Sequence, residues 1–270
     1  MTTEQESLAN AIAAVGKFDF YDKFCIHLKT FISYDNIIFL TYHGKSIPHV
    51  HFVWHRGYNV FRFIDDKYLT GAYLLDPVYD YHLEKRFDGI FRLTEIAPDQ
   101  FKRSHYYEWY YGKIGITDEI TVIEFVGANT TMTVSLGKDK TSAQMFSARD
   151  ETQMLKRQSI ILALLKAHWD WGGAKFSLGK QQPQAVVDGL IDLMHSRQHL
   201  ALSRRQAEVA LLILRGHSSI SIGLNLNISP QTVKVFRKQL YQKCRISSQA
   251  ELFALMMPLL AEISGTSHGD

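Results

Sequence analysis

Two stretches of the chain place residue types at spacings that can do chemistry. The first runs from Ser229 to Cys244 and reads SPQTVKVFRKQLYQKC. Ser229 can cap a helix, and Pro230 suits its first position, where a missing N–H leaves no bond unmade. Val233, Phe236 and Leu240, extended by Cys244, recur at three- and four-residue spacing as one apolar stripe. Gln231, Lys234, Arg237, Lys238 and Gln242 fall on the opposite face. Amides, ammonium groups and a guanidinium along one helical face are suited to the phosphates and base edges of a DNA groove. The second stretch is a run of aromatic residues around a single carboxylate. Trp54, Tyr58, Phe61, Phe63, Tyr68, Tyr73, Tyr79 and Tyr81 flank or surround Leu75-Asp76-Pro77-Val78, and Tyr106, Tyr107, Trp109, Tyr110 and Tyr111 follow. Most such side chains serve a core. A buried tyrosine also brings a hydroxyl that needs a partner, and an apolar wall with a few polar groups is what a small-molecule site requires. Asp76 reads two ways, as the N-cap of a helix that starts at Pro77 or as the polar anchor of a ligand.

The elements that must position the basic helix are legible on both sides of it. Ser218 starts a short helix through Asn225, with Ile222 and Leu226 facing inward, and a Leu-Asn-Ile turn before Ser229 leaves a tight connection. Upstream, Ser203 opens a helix carrying Val209, Leu212 and Ile213 and ending at Gly216, a residue suited to a helix C-terminus. Downstream, Ser247 or Ser248 opens a fourth helix from Gln249 to Leu260, with Leu252, Leu255 and Leu259 on one side that could meet a second copy. Charge is segregated in the same direction. Residues 200–263 hold eight basic residues (Arg204, Arg205, Arg215, Lys234, Arg237, Lys238, Lys243 and Arg245) against Glu208, Glu251 and Glu262. That is a local net charge of +5 in a chain whose total is +3, as phosphate neutralisation requires.

LSRRQAEV from Leu202, the Gly216-His217-Ser218 turn, NISPQTVKV from Asn227 and ISSQAEL from Ile246 resemble the C-terminal DNA-binding domain of LuxR/FixJ-type regulators. The resemblance covers about the last quarter of the chain, in order, spacing and terminal helix. It implies a third helix in the major groove with Lys234, Val235 and Lys238 at base-reading positions. It places Ser229, Gln231, Thr232 and Arg237 near phosphates, and Glu208 in a structural role. Ile220-Ser221, Phe236 and Cys244-Arg245 depart from that family's usual residues, mainly at packing positions or on the scaffold helix.

The remainder of the chain alternates helices and strands. Helices are expected over Ser7 to Val15 and Asp19 to Ile32. A hairpin is expected from Asn36 to Tyr42 and His49 to Trp54, and a second around Gly127-Ala128-Asn129, joining Glu119 to Val126 with Thr131 to Leu136. Residues 64–86 read as helix interrupted at Pro77, Gly89 to Leu93 as strand, Pro98 to Gly112 as helix, and Ser147 as the cap of a long helix to about Trp169 that offers a dimerisation surface. The expected fold class is α+β. An αβα sandwich with a PAS/GAF-like antiparallel sheet occupies residues 1–170, a Gly-rich linker 171–184, and an all-α four-helix helix-turn-helix domain 185–264.

Tyr73 with Asp76-Pro77-Val78, about 170 residues ahead of a LuxR-type tail, also resembles the autoinducer-binding domain of acyl-homoserine-lactone receptors. There the Asp accepts a hydrogen bond from the ligand amide, while a Trp and a Tyr upstream bind its carbonyls. Here Phe63 and Lys67 stand at those two positions, and Tyr68 is beside the second. A phenylalanine donates no hydrogen bond to a lactone carbonyl, so the resemblance implies the sensor fold with an effector that need not be an acyl-homoserine lactone, a small polar or aromatic metabolite being the other class. Arg103 to Tyr107 and Asp118-Glu119 look like LuxR-type regulators whose sensors depart from the lactone receptors. Trp54, Phe63, Tyr68, Tyr73 and Asp76 are the candidate effector contacts. His49 and His51, on one face of a strand near His43 and His55, could chelate a metal, but no Cys or carboxylate completes a set, and a solvated hairpin face is the reading.

No nucleophile elbow, phosphate loop or zinc signature is present, so neither catalysis nor a cofactor is expected. Cys25 and Cys244 fall in different expected domains, which argues against a disulfide. The N-terminus lacks a basic, long apolar leader, and no stretch reaches the length of a membrane span, which fits the cytoplasm. The expected partners are an operator in double-stranded DNA, a small-molecule effector, a second copy in a homodimer and RNA polymerase, with no membrane. The alternative is a DNA-binding regulator that is constitutive or partner-controlled and holds no small molecule.

Overall fold

The two hairpin signals build one antiparallel sheet, and everything else is laid on its two faces. The computed structural model describes residues 3–84, 87–172 and 186–265. Helices α1 (Glu4–Ala13) and α2 (Phe20–Leu28) lead into the hairpin of β1 (Asn36–His43) and β2 (His49–His55). A π-helical turn (Ile64–Tyr68) and a 3-10 turn (Ala72–Leu75) then lead to α3 (Pro77–Glu84), β3 (Gly89–Arg92) and α4 (Leu93–Ile96). A 3-10 turn (Phe101–Arg103) and a π-helical turn (Tyr107–Tyr111) precede α5 (Gly112–Ile114) and the hairpin of β4 (Ile116–Gly127) and β5 (Thr130–Asp139). Helices α6 (Ala148–Lys156) and α7 (Gln158–Gly172) complete this part. The C-terminal part is helical: α8 (Val186–Gln198), α9 (Arg204–Arg215), α10 (Ser219–Leu226), α11 (Pro230–Cys244) and α12 (Gln249–Gly265).

The strand order is β2-β1-β5-β4-β3, antiparallel throughout. Alternate residues of a strand point to opposite faces, so each central strand feeds two cores. Ile37, Phe39, Val134, Leu136, Ile120 and Val122 pack with Phe20, Phe24 and Leu28 of α2 and with Met154, Ile161 and Leu165 of α6 and α7. Ile38, Leu40, Tyr42 and Ile123 enter a second core that continues through Tyr73, Leu75 and Tyr79 into Leu214, Met256 and Leu260 of the C-terminal helices. Burial of an aliphatic or aromatic side chain contributes about 1.5–3 kcal/mol. A core shared in this way therefore holds the two parts of the chain against each other.

Several expectations need correction. Residues 64–84 form short turns of different pitch, and α-helix begins only at Pro77, because Gly71 takes φ +140° and the residue before a proline avoids the helical region. The stretch expected as helix from Pro98 to Gly112 is likewise broken into short turns. The helix expected from Ser147 to Trp169 is two helices that meet at Arg157, whose guanidinium binds Glu4 at 2.6 and 2.9 Å. Trp171 and Gly172 close α7, and the rest of the expected linker lies outside the described residues. Leu252 and Leu259 of α12 are buried inside the chain, so the stripe expected to meet a second copy is already used. On α7 and α6, Met154, Ile161 and Leu165 also face the chain's own sheet, whereas Leu155 and Ile160 are exposed.

The helical part docks through a few polar contacts around the end of α9. Arg215 Nη1 meets Asp80 Oδ1 of α3 at 2.6 Å, and Arg215 Nε and Nη2 donate to the Leu74 carbonyl at 3.2 and 3.0 Å. Both charged side chains are mostly buried. The Gln100 N–H donates to the Gly216 carbonyl at 3.0 Å, and the Ser218 N–H donates to Asp99 Oδ1 at 3.0 Å. Gly216 has φ +93°, and a Cβ there would lie 2.8 Å from the Phe101 Cα. Charge-assisted bonds sheltered from solvent are among the stronger single contacts. A double-mutant cycle of Arg215→Ala and Asp80→Ala, read by chemical unfolding, should return a coupling of about 0.5–3 kcal/mol. Additive losses would remove this pair from the docking contact.

Candidate functional site

Between the sheet and the aromatic turns lies a cavity of ≈ 50 Å³. At about 10–15 Å³ per water by the same measure, it has room for a few waters or the end of a small molecule. Its floor is Ile38, Leu40 and Tyr42 of β1 with Glu119 of β4 and Ser135 of β5, and its wall is Tyr68, Asp76, Tyr110 and Tyr111. Strand alternation places the floor residues on one face. The wall is placed by the turns on either side of α3 and before α5.

A hydrogen-bonded chain crosses it. The hydroxyls of Tyr42 and Tyr68 lie 2.7 Å apart, and Tyr68 donates to Asp76 Oδ2 at 2.9 Å. The other oxygen of Asp76 accepts from the Val78 N–H at 2.8 Å, so Asp76 caps α3 and at the same time lines the cavity. Glu119 Oε1 accepts from the Thr121 hydroxyl at 3.0 Å, and Thr121 lies 2.9 Å from Ser135 Oγ. Burial pushes Asp76 up to about 6, against the pull of the Val78 N–H and the Tyr68 hydroxyl. Burial, then the neighbouring Asp76 charge, pushes Glu119 up to about 7. Behind them the Tyr106 hydroxyl is fully buried and has no partner among the described residues.

The candidate effector contacts separate. Tyr68 and Asp76 line the cavity, and Tyr73 is buried next to it, 6.4 Å from the Tyr68 ring. Trp54 does not reach it. It lies across from Ile37 in the sheet and therefore on the face covered by α2, under the Lys29 ammonium at 3.3 Å. Phe63 packs at the edge of the second core between Arg62 and Lys67, without lining the cavity. Sequence reasoning missed Tyr42, Glu119 and Ser135 as cavity residues. Their signal is the alternation itself, since Tyr42 shares a face with Ile38 and Leu40.

The helix-turn-helix is built as its caps require. Ser203, Ser218 and Ser229 accept from the N–H groups of Gln206, Ser221 and Thr232 at 3.2, 3.2 and 3.0 Å, and Asn227 turns the chain between α10 and α11 at φ +54°. Val233 and Leu240 are wholly buried, with Phe236 and Cys244 beside them. Ser229, Gln231, Lys234, Val235 and Lys238 are exposed along the outer face, and Thr232 is half-buried at the helix start. Arg237 is half-buried, 5.1 Å over the Tyr241 ring, beside a polar cleft that also includes Arg103 and His217. The histidine hairpin forms no metal-binding group among the described residues: His51 bonds the Thr41 hydroxyl, and burial pushes it down to about 4. Cys25 and Cys244 are free. Among the described residues no single helix is long and apolar enough to cross a membrane.

A capped tri-helical core with an exposed basic helix, behind an α+β part with a cavity, defines a helix-turn-helix DNA-binding protein. The model of bacterial regulatory proteins, luxR family, matches residues 200–256. A protein of the exeN 3′ region of Aeromonas salmonicida, described as an HTH-type transcriptional regulator, is 30% identical over 176 residues, 63% of this chain and 86% of its own length. The chain belongs to the LuxR family of bacterial transcriptional regulators. Among solved structures, the VqsR LBD domain from Pseudomonas aeruginosa matches 62% of this chain and 96% of its own, with a TM-score of 0.52 and 24% identity, a likeness of fold. Escherichia coli SdiA spans 96% of this chain and 93% of its own at a TM-score of 0.39 and 16% identity.

The raised carboxylates have a sign that can be checked. Glu119 holds its proton more tightly folded than unfolded, so that contribution to stability is full below about pH 4.5 and is lost as pH rises through about 7. Glu119→Gln removes the loss. Relative to the wild type, the variant should gain on the order of 1–3 kcal/mol of stability between about pH 5 and pH 8. His51 and His168, both pushed down to about 4, act in the opposite direction but are common to both proteins. A difference in Tm between the two proteins that stays constant with pH would mean that Glu119 titrates normally.

Proposed function

We propose that this regulator binds its operator through α11 and that a small effector in the Asp76 cavity controls that binding. The observation that carries the reading is a chain of contacts: Asp76 lines the cavity and caps α3, and one turn later Asp80 of α3 holds Arg215 at the end of α9. Leu74, two residues before Asp76, holds the same guanidinium by its carbonyl. An effector that shifts Asp76 therefore acts on both anchors of the helix on which α10 and α11 are mounted, and it biases the arrangement only as far as it binds one better than the other.

In this reading Lys234, Val235 and Lys238 meet base edges. Ser229, Gln231, Thr232 and Arg237 meet phosphates, helped by the free N–H groups at the start of α11. One recognition helix covers few base pairs, so a homodimer on half-sites about one turn of DNA apart, within reach of RNA polymerase, belongs to the proposal. The exposed apolar side chains Ile12, Ile160 and Trp171, along the groove between α1 and α7, support a surface for the second copy. The alternative, a constitutive or partner-controlled regulator, is favoured by one observation. Both oxygens of Asp76 already have partners inside the chain.

Two measurements test these roles. On an operator selected from random duplexes, Lys238→Ala should cost about 1–3 kcal/mol and relax specificity, while Arg237→Ala should weaken all sequences alike and lower the salt slope by about one. Equal losses on operator and random DNA from both would withdraw the base-reading role. Any compound that stabilises the full chain against heat should change operator affinity in the wild type and leave it unchanged in Arg215→Ala. A change of affinity in that variant equal to the wild type's would place the coupling elsewhere, and a compound that stabilises without altering operator affinity in the wild type would favour the constitutive reading.

A further inference from the structure

The polar inventory of the cavity says what kind of molecule it suits. Two carboxylates, Asp76 and Glu119, face it, each more than nine-tenths buried, and among the described residues no Lys, Arg or His lines it. Two hydroxyls already donate to those carboxylates, Tyr68 to Asp76 and Thr121 to Glu119, and Tyr42 bonds Tyr68. A carboxylate oxygen has a second lone pair, so both acids retain acceptor capacity that a ligand carrying N–H donors would fill. Around them stand the rings of Tyr42, Tyr68 and Tyr110, with Tyr68 and Tyr110 stacked 5.6 Å apart. Tyr106, stacked on Tyr110 at 6.0 Å, holds its buried hydroxyl without a partner among the described residues.

Resting on the effector reading above, we infer that the effector is a small organic cation, a primary amine or amidine, whose charged head sits between Asp76 and Glu119. Two buried carboxylates near each other repel and lose hydration, and a cation placed between them offsets both costs. The volume of ≈ 50 Å³ admits a compact head group, with a short tail toward Phe61, Ile64 and Ile116 at the apolar margin.

The test uses the full chain, thermal unfolding and calorimetry, and matched probes. Tyramine, phenethylamine and cadaverine are each set against the alcohol of the same skeleton, with N-hexanoyl-homoserine lactone as a neutral acyl probe. The expected result is that at least one amine stabilises the chain and its alcohol does not, and that Asp76→Asn and Glu119→Gln each weaken the amine by about 10- to 100-fold. Glu119→Asp, which keeps the charge, should retain more of the binding than Glu119→Gln, and that ordering separates charge from any general disturbance of the fold. If an alcohol or the lactone binds as well as the amines and Glu119→Gln retains it, Glu119 acts as a neutral donor. The cation inference then falls while the effector reading stands. If no probe of either kind binds, both fall.

Discussion

The two oxygens of Asp76 hold different parts of the chain, and the rest of the architecture depends on their being held together. Oδ1 takes the Val78 N–H and fixes where α3 begins; Oδ2 takes the Tyr68 hydroxyl and through it Tyr42 of the sheet. The start of α3 is thus tied to β1 by a line of three side chains. At its other end α3 is tied to the sheet again by His82, whose Nδ1 lies 2.6 Å from the Thr131 hydroxyl. A helix pinned at both ends carries Asp80 in the middle, facing Arg215. The cavity and the DNA-binding helices are neighbours in one continuous core, so little distance separates a change in one from a response in the other.

Keeping two carboxylates in such a place is expensive. An interior of leucines would be more stable at neutral pH, since buried charge is rarely a source of net stability. The same sheet face carries Thr121, Thr131, Thr133 and Ser135, all buried or nearly so, and three of them hydrogen-bond to side chains around the cavity or α3. A polar layer of this kind, roofed by aromatic rings, is a costly core and a good site.

This layer also marks where the sequence stopped being readable. The helix-turn-helix was legible almost to the residue because capping is local: Ser203, Ser218, Ser229 and Gly216 each act within a few positions of themselves. The strands were legible for the same reason, from alternation. Thr131-Met132-Thr133-Val134-Ser135-Leu136 alternates polar and apolar regularly, which marks a strand and leaves open what covers its polar face. What covers it is α3, whose His82 bonds Thr131 from 49 positions away, together with the aromatic turns. Glu119 was hidden by the same roof. Trp54 was misplaced for a different reason, because proximity in sequence to other aromatics says nothing about strand face, which its pairing with Ile37 decides. The short turns between Ile64 and Leu75 escaped because their pitch is set by Gly71 and Pro77 together with tertiary packing.

Two glycines decide how sharply the halves of the molecule meet. At Gly216 a Cβ would lie 2.8 Å from the backbone of Phe101, and at Gly71 it would lie 3.0 Å from the backbone of Ala261. Both approaches are backbone against backbone, and both glycines have positive φ, so no side chain cushions either contact. Flexible side chains let an interface slide by small steps; bare backbone at van der Waals distance does not, and packing energy is lost within a fraction of an ångström. Of the polar contacts between the halves, that of Ser218 with Asp99 is by contrast exposed, and water can replace it. An interface that is steep in its apolar part and exchangeable in its polar part favours two positions over a continuum. That property suits the proposed control of DNA binding by an effector.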